Sequence, residues 1–259
     1  MSERKNIMPV YNINGLDVSQ SGDIQLDYAF DETSNANYTI LRINKLKIDG
    51  SYQYPFVYCP NGTSPSTKST LDFNMEKKFP VAINAGYFNI SNNTPIGVVI
   101  QNGVAIKNGT EPQYYHRALT IDASGNLGVT LETNAQTLVS DGIISAVLGY
   151  PLLIDNYEST GATSQGENAQ RQIIGQFGNE DYAIITCEGR NYDHSDGWTW
   201  EEATDICQKI GLKFAYALDG GGSVETCVRK KQINTIYERT TGRIVPTYIV
   251  FNGTNHFIA

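Results

Sequence analysis

The stretch "AYALDGGGSVETCV", residues 215–228, joins an apolar run to an acid, three glycines and a serine. Runs of Gly and Ser are often flexible linkers. Here aromatic and aliphatic residues stand on both sides, which favours a turn inside a folded domain. The segment therefore predicts a buried strand that ends at Asp219 and a turn made of Gly220, Gly221, Gly222 and Ser223.

The residues before this turn predict the clearest helix of the chain, over 200–210. Thr199 and Glu202 have the spacing of a capping box, and Gly211 is placed to end the helix. Apolar residues recur through it at helical spacing. The chain then enters a strand over 213–218, so the glycine turn follows the carboxyl end of a strand. Ligands commonly bind at such positions in α/β layouts.

Strand and turn signals dominate the rest of the chain. In the segment 96–106, Asn102 and Gly103 stand between two apolar triplets. This pair is typical of a type I′ hairpin turn, because both positions take a positive φ. Further strands or hairpins are predicted over 37–48, 79–88, 117–132 and 170–189, the last with its turn at Gly178 and Asn179, and a short helix is predicted to begin at Thr70.

These elements predict an α+β fold with one domain over residues 36–259. Its core is expected to be a mixed, mostly antiparallel β-sheet with several hairpins and a few helices. Residues 1–35 are polar and loosely patterned. They are interpreted as an N-terminal extension that packs on the domain or contacts virion or self-assembly partners.

Composition excludes some classes of protein and leaves others open. The net charge of −8 argues against a nucleic-acid-binding protein, which needs a basic surface. No apolar run reaches the roughly 18 residues of a membrane span. The start "MSERKNIMPVYNING" lacks the apolar segment of a signal peptide, which gives bacterial cytoplasm or a phage virion as the expected location.

Neither a metal nor a cofactor is expected. The cysteines show no CxxC pair and no metal-ligand spacing, so reduced and packed thiols are predicted at Cys59, Cys187, Cys207 and Cys227. His116 and His194 are isolated in the sequence, and lone histidines are more often structural or surface residues than ligands.

The glycine turn has the residue types of an anion-binding site. Glycines allow backbone N–H groups to approach a ligand without interference from a Cβ atom, and successive free N–H groups form an anion-binding nest. Asp219, at the start of the turn, either caps the turn or acts on a sugar as base, nucleophile or hydrogen-bond acceptor. Both interpretations remain open at this point.

Two arginines stand at the start of apolar strands, which is an awkward position for a guanidinium unless it meets an anion. They are Arg171 in "QRQIIG" and Arg243 in "GRIVPTYIVF". The alternative is an ion pair with an internal carboxylate such as Asp219. In "AINAGYFN", Asn84, Gly86 and Tyr87 combine an amide, a glycine and an aromatic ring, which suits a sugar site or a plain turn.

Taken in order, these motifs resemble the phosphodiester glycosidase family, in particular its bacterial and bacteriophage branch. The resemblance covers about residues 36–253. The family's N-G-G-[FY]-F motif is N-A-G-Y-F here, with Ala85 in place of a glycine. The matching stretches are "AINAGYFN…PIGVVIQNG" (82–103), "QRQIIGQF…DYAIITCEGR" (170–190), "GWTWEEATDICQKIGLKFAYALDGGGS" (197–223) and "RIVPTYIVF" (243–251).

The resemblance implies a hydrolase that cleaves a sugar–O–phosphate linkage at the anomeric carbon of a glycan phosphodiester. Because a phosphomonoester is a good leaving group, such a site needs cations on the phosphate more than a strong general acid. Asp219 is the first candidate for the catalytic carboxylate, with Arg171, Glu188 and Glu225 as further catalytic candidates. The expected substrate-binding residues are Asn84, Gly86, Tyr87, Gly97, Gly220, Gly221, Gly222, Ser223 and Arg243.

A second interpretation is a module that keeps this fold without useful catalysis. It would be a carbohydrate-binding or structural protein of a phage tail, since a fold does not by itself determine a function. Convergence of Asp219, Arg171 and Arg243 on one site favours catalysis, and their separation favours binding.

Overall fold

The computed structural model describes residues 22–109, 117–163, 167–190, 194–236 and 242–252. The sequence-based predictions for the remaining residues, including the start of the chain and His116, lie outside these ranges. The helices are α1 (Thr70–Lys77), α2 (Ala135–Ser140) and α3 (Trp200–Lys209). The strands are β1 (Ile24–Asp31), β2 (Ala36–Ile43), β3 (Tyr54–Tyr58), β4 (Val81–Asn84), β5 (Phe88–Asn89), β6 (Thr94–Pro95), β7 (Val99–Gln101), β8 (Val104–Lys107), β9 (Ala118–Asp122), β10 (Leu127–Thr130), β11 (Ile143–Val147), β12 (Leu152–Asp155), β13 (Glu158–Ser159), β14 (Arg171–Gln176), β15 (Tyr182–Cys187), β16 (Phe214–Ala217), β17 (Thr226–Val228), β18 (Lys231–Gln232) and β19 (Tyr248–Asn252).

The strands form three large sheets and one small hairpin. One sheet has seven strands in the order β1-β2-β15-β14-β16-β12-β13, and two have five, in the orders β10-β9-β11-β7-β8 and β18-β17-β4-β19-β3. All the strand pairs within the described ranges are antiparallel. The predicted α+β class with a mostly antiparallel core is confirmed.

The predicted local elements are present. Asn102 and Gly103 have φ values of 48° and 75° and connect β7 to β8, as a type I′ turn requires. The predicted hairpins also form from β9 with β10 and from β14 with β15. Helix α3 has the full capping box of Thr199 and Glu202, and Gly211, with a φ of 81°, follows its last turn.

The largest core cluster draws apolar side chains from all three large sheets, among them Leu41, Leu119 and Ile249. A second cluster packs the other face of the seven-stranded sheet against α3 and includes Trp198 and Ile206. The continuous burial of the central strands β14, β15 and β16 therefore has a physical cause, because this sheet is covered on both faces.

Strand β1 lies within the range that the sequence analysis assigned to the N-terminal extension. It pairs with β2 over eight residues, and Ile24 and Leu26 contribute to the main core. The division into an extension and a domain at residue 35 stays a prediction. Among the described residues, no helix has the length and apolar character needed to cross a membrane.

Candidate functional site

The register of two antiparallel strands places Arg171 opposite Asp219. Ile173 of β14 pairs with Ala217 of β16, and the amide of Leu218 donates to the carbonyl of Gln172 at 2.8 Å. Extending this register by two residues aligns Arg171, the first residue of β14, with Asp219, the second residue after the end of β16. The sheet therefore brings together two candidates that are far apart in the sequence.

The glycine turn approaches its neighbours too closely for larger residues. A Cβ atom on Gly220 would lie 2.9 Å from the Gln170 carbonyl oxygen, and one on Gly222 would lie 2.7 Å from an Arg243 guanidinium nitrogen. Gly221 has a φ of 57°, which disfavours any side chain. All three glycines therefore have a steric reason to be there.

The prediction of an anion nest with three free N–H groups was wrong for two of them. The amide of Gly221 donates to the Gln170 carbonyl at 2.9 Å, and the amide of Gly220 donates to the Asp219 carboxylate. Gln170 directly precedes β14, so the turn docks at the start of this strand, and the chain then forms a short 3₁₀ helix, Gly221–Ser223. Of the three glycine amides in the turn, that of Gly222 has no backbone acceptor within the described ranges.

Asp219 occupies a partly buried position with several polar contacts. Its carboxylate accepts hydrogen bonds from Ser223 and from the amide of Gly220, and the Arg243 guanidinium attracts it. Burial acts against these contacts and raises the pKa of Asp219 from 3.8 to about 6. A carboxyl group with this pKa can exchange a proton near neutral pH, as acid–base catalysis requires.

Arg171 is a buried cation. It is 9% exposed, its guanidinium lies 3.7 Å from the centre of the Trp200 ring, and burial lowers its pKa to about 10. Nε donates to the Trp198 carbonyl at 2.8 Å, and a terminal nitrogen donates to the Glu167 carbonyl at 3.0 Å. The predicted alternative, an ion pair with an internal carboxylate, does not form within 4.0 Å in the described part of the chain.

Two further guanidinium groups flank the glycine turn. Arg243 donates to the Ser223 hydroxyl at 3.2 Å and lies against Gly222. Arg190 lies 3.6 Å from the position of a Cβ on Gly221. Arg190 was not among the residues predicted from the sequence to form the site. The available signal was its position just after β15, whose end is adjacent to the start of β14.

Tyr87 belongs to the same group of residues. Its hydroxyl donates to the Tyr150 carbonyl at 3.2 Å. Burial raises the pKa of Tyr87 above its usual value; the Asp219 carboxylate raises it further, and Arg171 lowers it. The electrostatic contact of Tyr87 with both groups places it beside the pair at the sheet edge.

The side chain of Asn84 holds the backbone on both sides of the glycine turn. It is fully buried, its side-chain nitrogen donates to the Asp219 carbonyl at 2.6 Å, and its oxygen accepts from the Glu225 amide at 3.1 Å. Ala85, which stands where the family has glycine, accepts from the Asp219 amide at 2.9 Å through its carbonyl. Both residues therefore fix the backbone of Asp219.

Gly86 and Gly97 permit close packing against Leu148. A Cβ on Gly86 would lie 2.9 Å from the Leu148 carbonyl oxygen, and one on Gly97 would lie 2.5 Å from the Leu148 Cβ. Gly97 also has a φ of 75°. The absence of side chains at Gly86 and Gly97 therefore lets the segments on either side of Tyr87 pack directly against Leu148.

The other two candidate carboxylates have different neighbours. Glu225 is 1% exposed and accepts from the Leu71 amide at 3.1 Å, in the first turn of α1. Burial raises the pKa of Glu225. Glu188 accepts from the Thr235 amide at 2.6 Å and lies 3.2 Å from His194 Nε2. Of the three candidates, Asp219 is the one that the fold brings to the arginines.

The sequence matches the model of the phosphodiester glycosidase family over residues 77–252, and the chain belongs to this family. It is 28% identical over 223 residues to the SPbeta prophage-derived uncharacterized protein YomE of Bacillus subtilis (strain 168), an alignment that covers 80% of this chain. The chain spans about a third of that relative, 34% of its length.

Solved structures share the fold. The catalytic domain of zebrafish N-acetylglucosamine-1-phosphodiester alpha-N-acetylglucosaminidase, described as auto-inhibited by its pro-peptide, matches with a TM-score of 0.68 and 15% identity. The match covers 88% of this chain and 81% of that one. A hypothetical protein from Synechocystis matches with a TM-score of 0.62 and 16% identity, over 88% of this chain and 61% of that one. At these identities the likeness establishes the fold.

Proposed function

We propose that the protein is a hydrolase that cleaves a sugar–phosphate diester at the anomeric carbon and releases the sugar from a phosphomonoester. The observation that carries this proposal is one carboxyl group of raised pKa, on Asp219, at a strand end with Arg171 opposite and with Arg190 and Arg243 against the adjoining glycine turn. Family membership supports the same class of reaction.

The arginines act on the phosphate. A guanidinium offers planar pairs of N–H donors to phosphate oxygens, and a buried cation without a carboxylate partner gains most from an anionic ligand. Arg171 meets this description, since within the described ranges its guanidinium contacts two backbone carbonyls and the Trp200 ring. Arg243 and the amide of Gly222 add donors beside it. Together they stabilise the charge that develops on the departing phosphate oxygen.

Asp219 acts on the sugar side. As the bond from the anomeric carbon to the phosphate oxygen breaks, the electron pair leaves with the phosphate. The carboxylate of Asp219 then stabilises the positive charge on the sugar and accepts a proton from the attacking water. Because a phosphomonoester has a second pKa of only about 6, its departure does not need a strong acid. Tyr87 would contact the sugar, while the buried hydroxyl of Ser223, bonded to both Asp219 and Arg243, would hold these two groups in position.

The test is to incubate the protein with a panel of sugar-1-phosphodiesters and to measure the release of free sugar over time. Asp219→Asn is expected to lower kcat by about 100-fold or more, as removal of a catalytic proton acceptor does. Asp205→Asn, an exposed residue of α3, is the matched control and is expected to keep full activity. Turnover of the panel by Asp219→Asn at the wild-type rate would refute the mechanism.

A second candidate function is glycan binding or a structural role in a phage particle, without useful turnover. The similarity to a prophage-derived protein and the Ala85 substitution favour it. Saturable binding of the same panel without release of free sugar by the wild-type chain would support this function over hydrolysis.

A further inference from the structure

A separate cleft of about 530 Å³ lies at the edge of the seven-stranded sheet. Its volume falls within the roughly 300–1,000 Å³ of small-molecule sites. One wall comes from β1, β2 and the end of β15, and the other comes from the segment 232–235. The residues that matter for its chemistry are Tyr28, Asn37, Thr39, Glu188, His194 and Thr235.

The register of the strands places the polar groups of the first wall on one face. Thr39 pairs with Tyr28 on β1 and with Thr186 on β15. The amide of Glu188 continues the ladder by donating to the Asn37 carbonyl at 2.9 Å. Side chains of paired residues lie on the same side of a sheet. The carboxylate, the threonine hydroxyl and the tyrosine ring therefore border one space.

The Glu188 carboxylate is fixed in position. It is 9% exposed, its Oε1 accepts from the Thr235 amide at 2.6 Å, and its Oε2 lies 3.2 Å from Nε2 of His194. Tyr28 is close enough for this carboxylate to contribute to its raised pKa, for which burial is the larger cause. A held carboxylate beside an aromatic ring is a suitable acceptor for the hydroxyls of a sugar whose apolar face stacks on that ring.

An independent observation concerns Thr39. Its side chain is 2% exposed, and its hydroxyl has no hydrogen-bond partner among the described residues. Buried polar groups in proteins are nearly always paired, so an unpaired hydroxyl in the wall of a cleft indicates a missing partner. Because the oxygen itself is buried, a ligand hydroxyl in the cleft would supply that partner after a rotation of the Thr39 side chain.

The cleft differs in charge from the site around Asp219. Its described lining contains one carboxylate and one histidine but no Lys or Arg, whereas the guanidinium groups of Arg190 and Arg243 flank the glycine turn. Glu188 would therefore repel a phosphate group, and the described lining has no Lys or Arg to bind it. An uncharged, hydroxyl-rich ligand fits this wall.

We propose that this cleft is a second binding site, which takes an uncharged sugar ring such as a hexose or an N-acetylhexosamine. Asn234 connects it to the proposed catalytic site, since its side chain donates to the Val224 carbonyl at 3.1 Å and accepts from the Thr226 amide at 2.8 Å. Glu188, which the sequence analysis selected as a catalytic candidate, thereby receives a binding role. The inference does not depend on the proposed hydrolysis.

The experiment is an NMR titration of the isotope-labelled full chain with the methyl glycosides of glucose, galactose and N-acetylglucosamine. At least one glycoside is expected to shift the amides of residues 37–39 and 232–235, with a millimolar dissociation constant. Glu188→Gln and Thr39→Val are expected to weaken this binding by about tenfold, the effect of one lost hydrogen bond to a charged or buried group. Glu158→Gln, an exposed residue of β13, should bind as the wild type does.

The controls separate this inference from folding and from hydrolysis. Valine has nearly the shape of threonine, so Thr39→Val should unfold at the same temperature as the wild type or higher, because it removes an unpaired hydroxyl. Asp219→Asn should still bind the sugar in the cleft, whether or not the wild type hydrolyses anything. The inference is overturned if no glycoside shifts these amides, if both cleft variants bind like the wild type, or if the shifts centre on Gly220–Gly222.

Discussion

Replacing Asp219 with asparagine is expected to stabilise the folded protein at neutral pH while it removes activity. Burial raises the pKa of Asp219 from 3.8 to about 6. Between these two values the folded protein keeps a proton that the unfolded chain has released. The free energy of unfolding therefore falls as the pH rises from 3.8 to about 6, and this contribution is constant above that range.

The size of the effect follows from the shift in pKa. Each pKa unit corresponds to about 1.4 kcal/mol, so a shift of about two units gives an upper limit of about 3 kcal/mol. Asp219 is partly exposed, and solvent screening reduces the value. We expect Asp219→Asn to gain about 1–3 kcal/mol at pH 7 and little at pH 4, because asparagine keeps an oxygen that can accept from Ser223 and Gly220.

The assay is urea unfolding of both proteins at several pH values from 4 to 7.5, with the exposed Asp205→Asn variant as the control. The difference between Asp219→Asn and the wild type should grow through the pH range 4–6, and the control should follow the wild type. Parallel stability curves for Asp219→Asn and wild type would refute the reasoning, because they would show that the folded state does not perturb this carboxyl group.

Three further predictions concern the turn and its supports. Gly222→Ala places a Cβ 2.7 Å from an Arg243 nitrogen, which is the flexible end of a side chain and can move away. The rate of hydrolysis should therefore fall about tenfold or more, while the free energy of urea unfolding changes by less than about 1 kcal/mol. A fall in activity that is matched by a fall in stability would contradict this prediction. Gly220→Ala instead meets the Gln170 carbonyl at 2.9 Å and should cost about 1–3 kcal/mol in the same unfolding assay, more than Gly222→Ala. Asn84→Ala removes hydrogen bonds to the Asp219 carbonyl and the Glu225 amide and should cost about 2–4 kcal/mol, measured by thermal unfolding; a cost below about 1 kcal/mol would show that the turn does not depend on it.

The sequence predicted the elements that depend on neighbouring residues. The capping box and glycine end of α3, the Asn102–Gly103 turn and the strand before Asp219, which is β16 (Phe214–Ala217), all follow from local propensities and hydrophobic periodicity, and all are present. The fold class followed from the sum of such signals. The family could also be recognised, because its motifs occur in order along the chain.

The candidate site could be predicted only in part. Asp219, Arg171 and Arg243 were selected from predicted positions at strand ends; this was wrong for Arg243, because β19 begins only at Tyr248. Arg190 was missed because its one signal, a position just after a strand, is shared by many surface residues. The use of the Gly220 and Gly221 amides inside the turn was also missed. The Gly221 amide bonds to Gln170, whose distance from the turn along the chain hides the contact, whereas the Gly220 amide bonds to the neighbouring Asp219 carboxylate.

By itself, the sequence determined helices α1 and α3, the hairpins β7–β8, β9–β10 and β14–β15, and the place where an acid meets three glycines, because these are set by interactions within a few residues; it did not predict α2. Only the tertiary structure decided which carboxylate faces the arginines. The antiparallel register of β14 and β16 brings Arg171 to Asp219, while Glu188 and Glu225 are held by Thr235 and by the start of α1. Such pairings depend on how strands distant in the chain align, and local sequence does not contain that information.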